Sequence, residues 1–371
     1  MRTITYLFFL LVFLILTTSE ILALPRFSVR SGGQCIDCHV NPTGGQMRNL
    51  SGWKYGKNNL VMLQASDDEF ESSPMLNENV SFGFDLRTQF LAKFDSVNKR
   101  SDFQNMASSV YFGAGLSETI NLYARYDFTQ GYYEGFVSAH IFPDNGYVKI
   151  GTFAPNYGIR IDDHTAFTRG GMFDPSIGGF NGWPFTPNYT ETGVELGFYI
   201  SDFAFITASS GSPAGQRFVK DPSYTASVQF TPQVSDEFSI MAGGSFASWK
   251  KGFAPNITDV TSFSGFGGVS FAGFTLLGEF TQAENLLFKD STSSALMVEA
   301  SYKIIKGLDG VVRYDMLTPV SGNTSKNISG LVLGVEFFPY SFVELKPQYR
   351  INTEDPKIDN NMFVLQFHIW Y

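Results

Sequence analysis

The chain is poor in charge, in cysteine and in histidine. Charged residues make up 16% of the 371 residues, against roughly 25% in an ordinary soluble domain. There are only two cysteines, Cys35 and Cys38, and four histidines. The net charge of −9 argues against nucleic-acid binding, which requires a basic surface. After the first 23 residues no apolar run approaches the length of a transmembrane helix.

Aromatic residues and glycine are abundant instead. The sequence contains 38 Phe, 17 Tyr and 36 Gly. Abundant aromatics with low charge and no long apolar run are typical of outer-membrane β-barrels, whose strands carry only short alternating signals.

Alternating polarity begins near residue 79. In the segment Ile120–Phe128 the even positions are apolar, whereas the odd positions hold Asn121, Tyr123, Arg125 and Asp127. Successive side chains of a strand point to opposite faces, so one face is apolar and the other polar. In a membrane barrel the apolar face contacts lipid and the polar face lines the lumen.

Sixteen segments fit this pattern, and their connections, apart from the short 130–131, alternate between short and long, as in outer-membrane barrels. We therefore predict an all-β fold, an antiparallel outer-membrane barrel of about 16 strands that leaves an aqueous lumen. The predicted strands are 79–94, 105–116, 119–129, 132–142, 146–153, 191–200, 203–209, 223–231, 237–249, 260–270, 273–283, 293–304, 308–317, 329–338, 342–352 and 361–371.

The N-terminus reads as a secretory signal. Arg2 precedes the apolar run 6–16, which is too short to span a bilayer, and Ala23 supplies a small residue for cleavage. We predict a signal peptide at 1–23 and a mature protein that starts about a dozen residues before Cys35.

The segment Cys35-Ile36-Asp37-Cys38-His39 matches C-x-x-C-H, the attachment motif of a c-type haem. Cys35 and Cys38 would bond to the haem vinyl groups, and His39 would be an axial ligand of the iron. The alternative is a C-x-x-C redox pair or a structural disulfide, which an exported protein could form.

Three units follow the signal peptide in this interpretation. Residues 24–64 form a small haem c-binding segment with a short helix in 49–63, and one covalent haem supplies the apolar mass that so small a segment lacks. Residues 65–78 are an acidic linker, and 79–371 form the barrel. The haem segment is expected on the periplasmic side or in the barrel lumen.

The connection 154–190 is unusually long for a compact domain, and such connections are often functional. It follows the fifth predicted strand. In general porins the loop after the fifth strand folds into the lumen and narrows it, and by that resemblance 154–190 is predicted to be a constriction loop.

The haem segment resembles that of the fused monohaem cytochrome–porins of the bacterial outer membrane, a family that includes iron oxidases. The pattern A-x-P-x-F followed by G-x-x-C-x-x-C-H is present as Ala23, Pro25 and Phe27, then Gly32 and the motif from Cys35 to His39. Pro42 lies three residues after the histidine, where the family usually has proline at four. The resemblance covers the motifs of residues 23–45 and the architecture of the remainder.

This resemblance implies electron transfer across the outer membrane through one haem c, with extracellular Fe(II) as a candidate donor. The expected partners are a periplasmic carrier such as a cytochrome c, an extracellular donor or acceptor, and outer-membrane lipid. Two other functions stay open: a porin-like channel whose haem segment is a structural plug or redox sensor, and a haem enzyme acting on a small molecule. No catalytic triad, phosphate loop or zinc-type cluster is evident, which argues against non-haem enzymes.

The second axial ligand of the iron is not fixed by the sequence. Met47 lies eight residues after His39 and could fold back onto the iron. His164 could reach the iron if its loop enters the lumen. His140 and His368 face the lumen by alternation, near the periplasmic ends of their strands. For Met47 the two interpretations are balanced, whereas for each of the three histidines an ordinary loop or lumen residue is the favoured alternative.

Overall fold

A computed structural model describes residues 25–66, 73–94, 99–171, 183–213, 221–251, 257–319, 327–354, 357 and 359–371. The predicted signal peptide 1–23 lies outside the described residues, as do parts of the predicted linker (67–72) and of the long connection (172–182). Among the described helices, none has the length and apolar character needed to cross a membrane.

The strands form one closed antiparallel barrel, because the first strand pairs with both the second and the last. The sixteen-stranded antiparallel barrel predicted from sequence is therefore confirmed, and β9 is a three-residue addition in the turn after β8. The strands are β1 Val80–Lys93, β2 Arg100–Gly115, β3 Ile120–Asp127, β4 Tyr132–Ala139, β5 Tyr147–Phe153, β6 Glu191–Ser201, β7 Ala204–Pro213, β8 Ser223–Phe230, β9 Gln233–Ser235, β10 Phe238–Lys251, β11 Thr258–Phe271, β12 Phe274–Glu284, β13 Thr292–Ile305, β14 Leu308–Thr318, β15 Ile328–Tyr340, β16 Val343–Thr353 and β17 Met362–Trp370.

The alternation places polar side chains inside, as strand β3 illustrates. Arg125 and Asp127 are buried in the interior, whereas the Tyr126 side chain between them is 44% exposed on the outer surface. Large apolar side chains on other strands are exposed in the same way, among them Leu86 and Phe112. The apolar face therefore points outwards, as a lipid-facing barrel requires.

Two helices precede the barrel: α1 at Pro25–Ser31 and α2 at Leu50–Asn58. Asn49 caps α2, since its side-chain oxygen accepts a hydrogen bond from the Gly52 N–H at 3.0 Å. This helix occupies the first part of the 49–63 segment predicted to be helical. Between the helices, Cys35–Asp37 form one turn of 3-10 helix.

Residues 25–66, called the plug below, pack against the inner face of the barrel near its short turns. Helix α1 lies against β10, β11 and β12, and Arg30 pairs with Asp309 at 2.6 Å. Helix α2 lies against the end of the last strand, where the Trp53 ring packs edge-on against Tyr371 at 5.7 Å. The C-terminal end of the plug runs along β15, where the Met62 N–H donates a hydrogen bond to the Phe338 carbonyl at 2.9 Å.

The connection between β5 and β6 also enters the barrel, which confirms the predicted course for the described residues 154–171 and 183–190, called the inner loop below. Its Tyr157 hydroxyl is 2.5 Å from Ser262 Oγ and 2.7 Å from Thr281 Oγ1 on the opposite wall. Its Arg169 makes a two-point ion pair with Glu279 of β12, at 2.7 and 3.1 Å. The inner loop therefore crosses the lumen and is anchored on the far side.

Candidate functional site

A cavity of about 250 Å³ lies between the plug and the inner loop. The plug contributes Cys35, His39 and Arg48 to its lining, the inner loop contributes residues 154–163, and the barrel wall contributes polar side chains. Because this cavity brings together the sequence-predicted site residues Cys35, His39 and His368, we treat it as the candidate site.

The C-x-x-C-H segment is folded by short backbone hydrogen bonds. The Asp37 carboxylate accepts from the Gln34 N–H at 2.7 Å, and the His39 N–H donates to the Cys35 carbonyl at 2.9 Å. This turn brings Cys35 and His39 onto the same cavity, while Cys38 is 1% exposed beneath them. The two thiols are not joined in a disulfide.

Burial keeps both thiols protonated. It raises the pKa of Cys35 despite the opposing charge of Arg160, and it raises the pKa of Cys38 to about 11. A thiol with a raised pKa has little thiolate at neutral pH, and thiolate is the reactive form. Once the plug is folded, Cys35 and Cys38 are therefore poor substrates for oxidation to a disulfide.

The His39 imidazole is held by the backbone of Met47, eight residues further along the plug. Its Nδ1 lies 3.3 Å from the carbonyl oxygen of Met47, and its side chain is almost fully buried. A hydrogen bond from Nδ1–H to a backbone carbonyl is the usual way in which a metal-ligating histidine is oriented, since it fixes the tautomer that leaves Nε2 as a ligand.

Met47 contributes its carbonyl to His39, but its side chain packs against the barrel wall. It belongs to an apolar cluster with Tyr111, Tyr123 and Phe136. A Cβ atom at Gly113 of β2 would lie 3.0 Å from the Met47 Cε. The thioether is thus part of the packing that joins the plug to the wall and is not in the lining of the cavity.

His368 lies on the cavity, and both of its ring nitrogens contact carboxylates. Nδ1 is 2.8 Å from Glu344 and Nε2 is 3.0 Å from Asp85. The ring also packs on Trp370, with 4.9 Å between the centroids. His368 of β17 thus links Glu344 of β16 to Asp85 of β1, and its side chain is part of the polar network of the barrel wall.

The other two histidines lie away from this cavity. His164 of the inner loop lines a smaller neighbouring pocket of about 40 Å³ together with Arg87 and Asp162. His140 lies by the turn after β4, where its Nδ1 is 3.0 Å from the Asn145 carbonyl. Among the four candidate second ligands, only His368 therefore shares a cavity with His39.

The wall of the cavity carries a network of charged side chains. The alternation of polar and apolar residues predicts only some of its members. Glu344 and Lys346 lie two residues apart on the polar side of β16 and face inwards, with Lys346 also 2.7 Å from Glu336. The participation of Arg26, which pairs with Glu336 at 2.8 Å, has no sequence signal because it depends on where α1 docks. The described residues contain no cluster of three or more His, Cys, Asp or Glu side chains that could hold a metal ion by themselves.

The inner loop is tied to the plug and to the wall through Asp162. Its carboxylate accepts from the Gln46 side chain at 2.9 Å and pairs with Arg87. Burial raises the pKa of Asp162, but the Arg87 and Arg125 guanidinium groups and the hydrogen bond from Gln46 together lower it to about 2. The carboxylate therefore stays charged throughout the ordinary pH range, and this junction does not titrate.

The position of Cys38 depends on Gly52 of α2. A Cβ at Gly52 would lie 2.2 Å from the Cys38 carbonyl oxygen, so α2 can approach the motif only because residue 52 is glycine. Gly52→Ala is expected to destabilise the docked plug by about 1–3 kcal/mol through overpacking. Limited proteolysis of the plug measures this effect. Gly265→Ala is the matched control, because nothing lies within 4 Å of its added Cβ; equal protease resistance of the two variants would contradict the prediction.

No protein-family model matches the chain, and no curated protein matches it in sequence. Solved structures match its fold. The anion-selective porin of Comamonas acidovorans has a TM-score of 0.58 at 11% identity, over 79% of this chain and 98% of that one. The outer membrane channel DcaP of Acinetobacter baumannii has 0.57 at 10% identity, over 79% and 97%. OmpT of Vibrio cholerae lacking loop L8, an outer membrane protein, has 0.55 at 15% identity, over 79% and 99%.

These likenesses concern the barrel fold alone, since all three identities are low. Together with the closed strand order and the apolar outer face, they establish that the chain folds as a porin-type antiparallel β-barrel.

Proposed function

We propose that the protein is an outer-membrane cytochrome–porin that moves electrons across the outer membrane with one covalently bound haem c. The observation that carries the proposal is that Cys35 and His39 of the C-x-x-C-H motif share a cavity inside a porin-type barrel. In such barrels the short turns face the periplasm, so the plug would lie at the periplasmic end.

The C-x-x-C-H segment suits a haem c, since Cys35 and His39 line the cavity and Cys38 is buried beneath them. Cys35 and Cys38 would hold it by thioether bonds, and the orientation of His39 on the Met47 carbonyl suits an axial ligand. Gly44 approaches Cys35 closely without a side chain, since its Cβ would lie 3.4 Å from Sγ, which leaves that flank of the thiol open. A haem c, when bound, supplies reversible one-electron redox chemistry.

The chain's own residues would insulate this centre. The plug and the inner loop occupy the lumen from two sides. A soluble molecule in the periplasm and one outside the cell would therefore approach the site from opposite ends of the barrel. The apolar outer face would be buried in a hydrocarbon layer about 30 Å thick. A periplasmic carrier such as a cytochrome c would approach the plug, and the long-loop end would face the extracellular donor or acceptor. The net charge of −9 favours a cationic donor such as Fe(II).

The second candidate is a porin-like channel in which the plug is structural or senses redox state. The porin-type fold favours it, as does the His368 bridge between Glu344 and Asp85, which gives this part of the wall a structural role. The two candidates differ in whether electrons or solutes cross.

Spectroelectrochemistry of the purified full-length protein tests the proposal. We expect a c-type spectrum, a reversible one-electron transition and reduction by added Fe(II) or by a reduced periplasmic-type cytochrome c. Liposomes that enclose oxidised cytochrome c, with Fe(II) outside, extend the test to transmembrane transfer. A bound haem that neither donor reduces would contradict electron transfer, rapid solute flux would favour the channel, and an iron that binds carbon monoxide readily would favour a small-molecule enzyme.

A further inference from the structure

The barrel is closed by the pairing of its first strand with its last, called the seam below. β1 and β17 are in register from Asp85 opposite Trp370 onwards, and Phe84 and Tyr371 add two backbone hydrogen bonds at 3.1 and 2.9 Å. Other neighbouring wall strands follow one another along the chain, whereas these two are separated by nearly the whole barrel sequence. Because the entropic cost of joining two segments rises with the chain length between them, the seam is the join that gains most from additional contacts.

Helix α2 of the plug covers the last strand beside the seam. The Trp53 ring packs edge-on against Tyr371, with 5.7 Å between the centroids, and lies 5.2 Å from the Phe342 ring in the turn before β16. A Cβ at Gly56 would lie 3.2 Å from Trp370 Nε1, so the helix and the indole are in direct contact at that point. Trp53, Phe342 and Trp370 belong to one buried apolar cluster, which joins the plug to the end of the last strand.

Polar contacts fix the plug at the same place. The Ser341 hydroxyl, in the turn before β16, donates to the Lys57 carbonyl at 2.7 Å and accepts from the Ala65 N–H at 2.9 Å. The Arg48 guanidinium lies over the Trp370 ring, 5.0 Å from its centroid, in a cation–π contact. The plug is therefore held on the β16–β17 side of the seam by directional bonds as well as by apolar packing.

The residues just before α2 lie on the other side of the seam, against β2. The Tyr111 hydroxyl donates a hydrogen bond to the Gln46 side-chain oxygen, and Met47 packs with Tyr111 in an apolar cluster. A Cβ at Gly113 would lie 3.0 Å from the Met47 Cε, so this contact is also close. Since β1 lies between β2 and β17 in the wall, the plug crosses the seam along the inner surface between residues 46 and 56.

We propose that plug residues 46–56 hold the barrel closed, so that docking of the plug and closure of the seam between β1 and β17 are coupled. The coupling is reciprocal, because contacts that exist only when the plug is docked and the seam is closed stabilise both. The inference goes beyond the proposed function and needs no bound haem. It gives the segment that carries the C-x-x-C-H motif a second role in the stability of the wall.

The test is hydrogen exchange of the purified full-length protein in detergent micelles, measured by mass spectrometry of peptides. In Trp53→Ala we expect the backbone amides of β1 and β17 to exchange about tenfold faster than in wild type, while β7 and β8 keep their rates. Trp53→Phe should recover most of the protection, since it keeps an aromatic ring in the cluster. Val29→Ala is the matched control: it also truncates a buried plug side chain, but Val29 packs with Met241 and Met297, away from the seam.

If Trp53→Ala does not give a folded barrel, Met47→Ala decides, since it weakens the crossing from the β2 side and leaves the contacts of α2 in place. It should likewise accelerate exchange in β1 and β17 alone. Equal acceleration in β7 and β8 would mean general destabilisation and would reject the proposal. Unchanged seam exchange in a variant whose plug has become sensitive to protease would also reject it, because docking and closure would then be independent. Wild-type protein without covalent haem that still shows the seam effect would overturn the proposed function and support the coupling.

Discussion

Under the proposed function, replacement of both Cys35 and Cys38 by alanine is expected to abolish covalent haem attachment and, with it, all electron transfer through the barrel. The expectation follows from composition, because these are the only cysteines in the chain and no other thiol can replace them. Haem staining after denaturing electrophoresis measures attachment, and the liposome assay with enclosed cytochrome c measures transfer. Haem staining of the protein band should disappear, and the transfer rate should fall to that of liposomes without the protein.

The barrel should still form in this double variant. Its sixteen wall strands are joined by their own ladders, and α1 remains tied by Arg26 and Arg30 to wall carboxylates. The plug should be more sensitive to protease, since a small segment loses its covalent staple. Ile36→Ala is the control, because it changes the motif at a variable position and keeps both thiols and His39. Haem staining that survives in the double variant, or equal transfer rates, would reject attachment at this site.

The strands were predictable because their signal is local. Alternation within a segment such as Ile120–Asp127 is set by the two faces of one strand and needs no knowledge of its neighbours. The prediction was weakest where that signal fades. Strand β2 begins at Arg100 and not at 105, because its first residues extend the hairpin beyond the buried wall and are exposed on both faces. The short β9 escaped notice because three residues carry no detectable period.

The sequence predicts only those residues of the site that are close together along the chain. The C-x-x-C-H motif packs its thiols and its imidazole into five residues, so the sequence identifies all three. The Arg48–Trp370 contact joins the plug to the last strand, and no local pattern predicts which wall residue the plug will meet. The same holds for Arg169 and Glu279, which lie 110 residues apart. Alternation identifies Glu279 as inward-facing and cannot name its partner.

Arg169→Met is expected to release the inner loop from the wall and to raise ion conductance through the barrel. Arg169 and Glu279 are both almost fully buried, and Arg169 also donates to the Ile159 and Thr168 carbonyls of its own loop. Removal of one member of a buried ion pair leaves an uncompensated charge and typically costs about 3–5 kcal/mol. That cost falls on the docked conformation of the loop, because the wall strand β12 is held independently by its ladder pairs with β11 and β13.

Single-channel recordings in planar bilayers measure the consequence. Wild type should conduct weakly, since the plug and the inner loop both occupy the lumen, and Arg169→Met should show larger and more variable openings. The double variant Arg169→Met/Glu279→Met should recover part of the wild-type behaviour, because an apolar pair can replace a buried ion pair at little net cost. Lys250→Met is the matched control: its partner Asp259, at 2.7 Å, is exposed on the rim, where an ion pair contributes little. High conductance in wild type and no change in Arg169→Met would mean that the loop does not close the lumen, and would favour the channel over the insulated electron path.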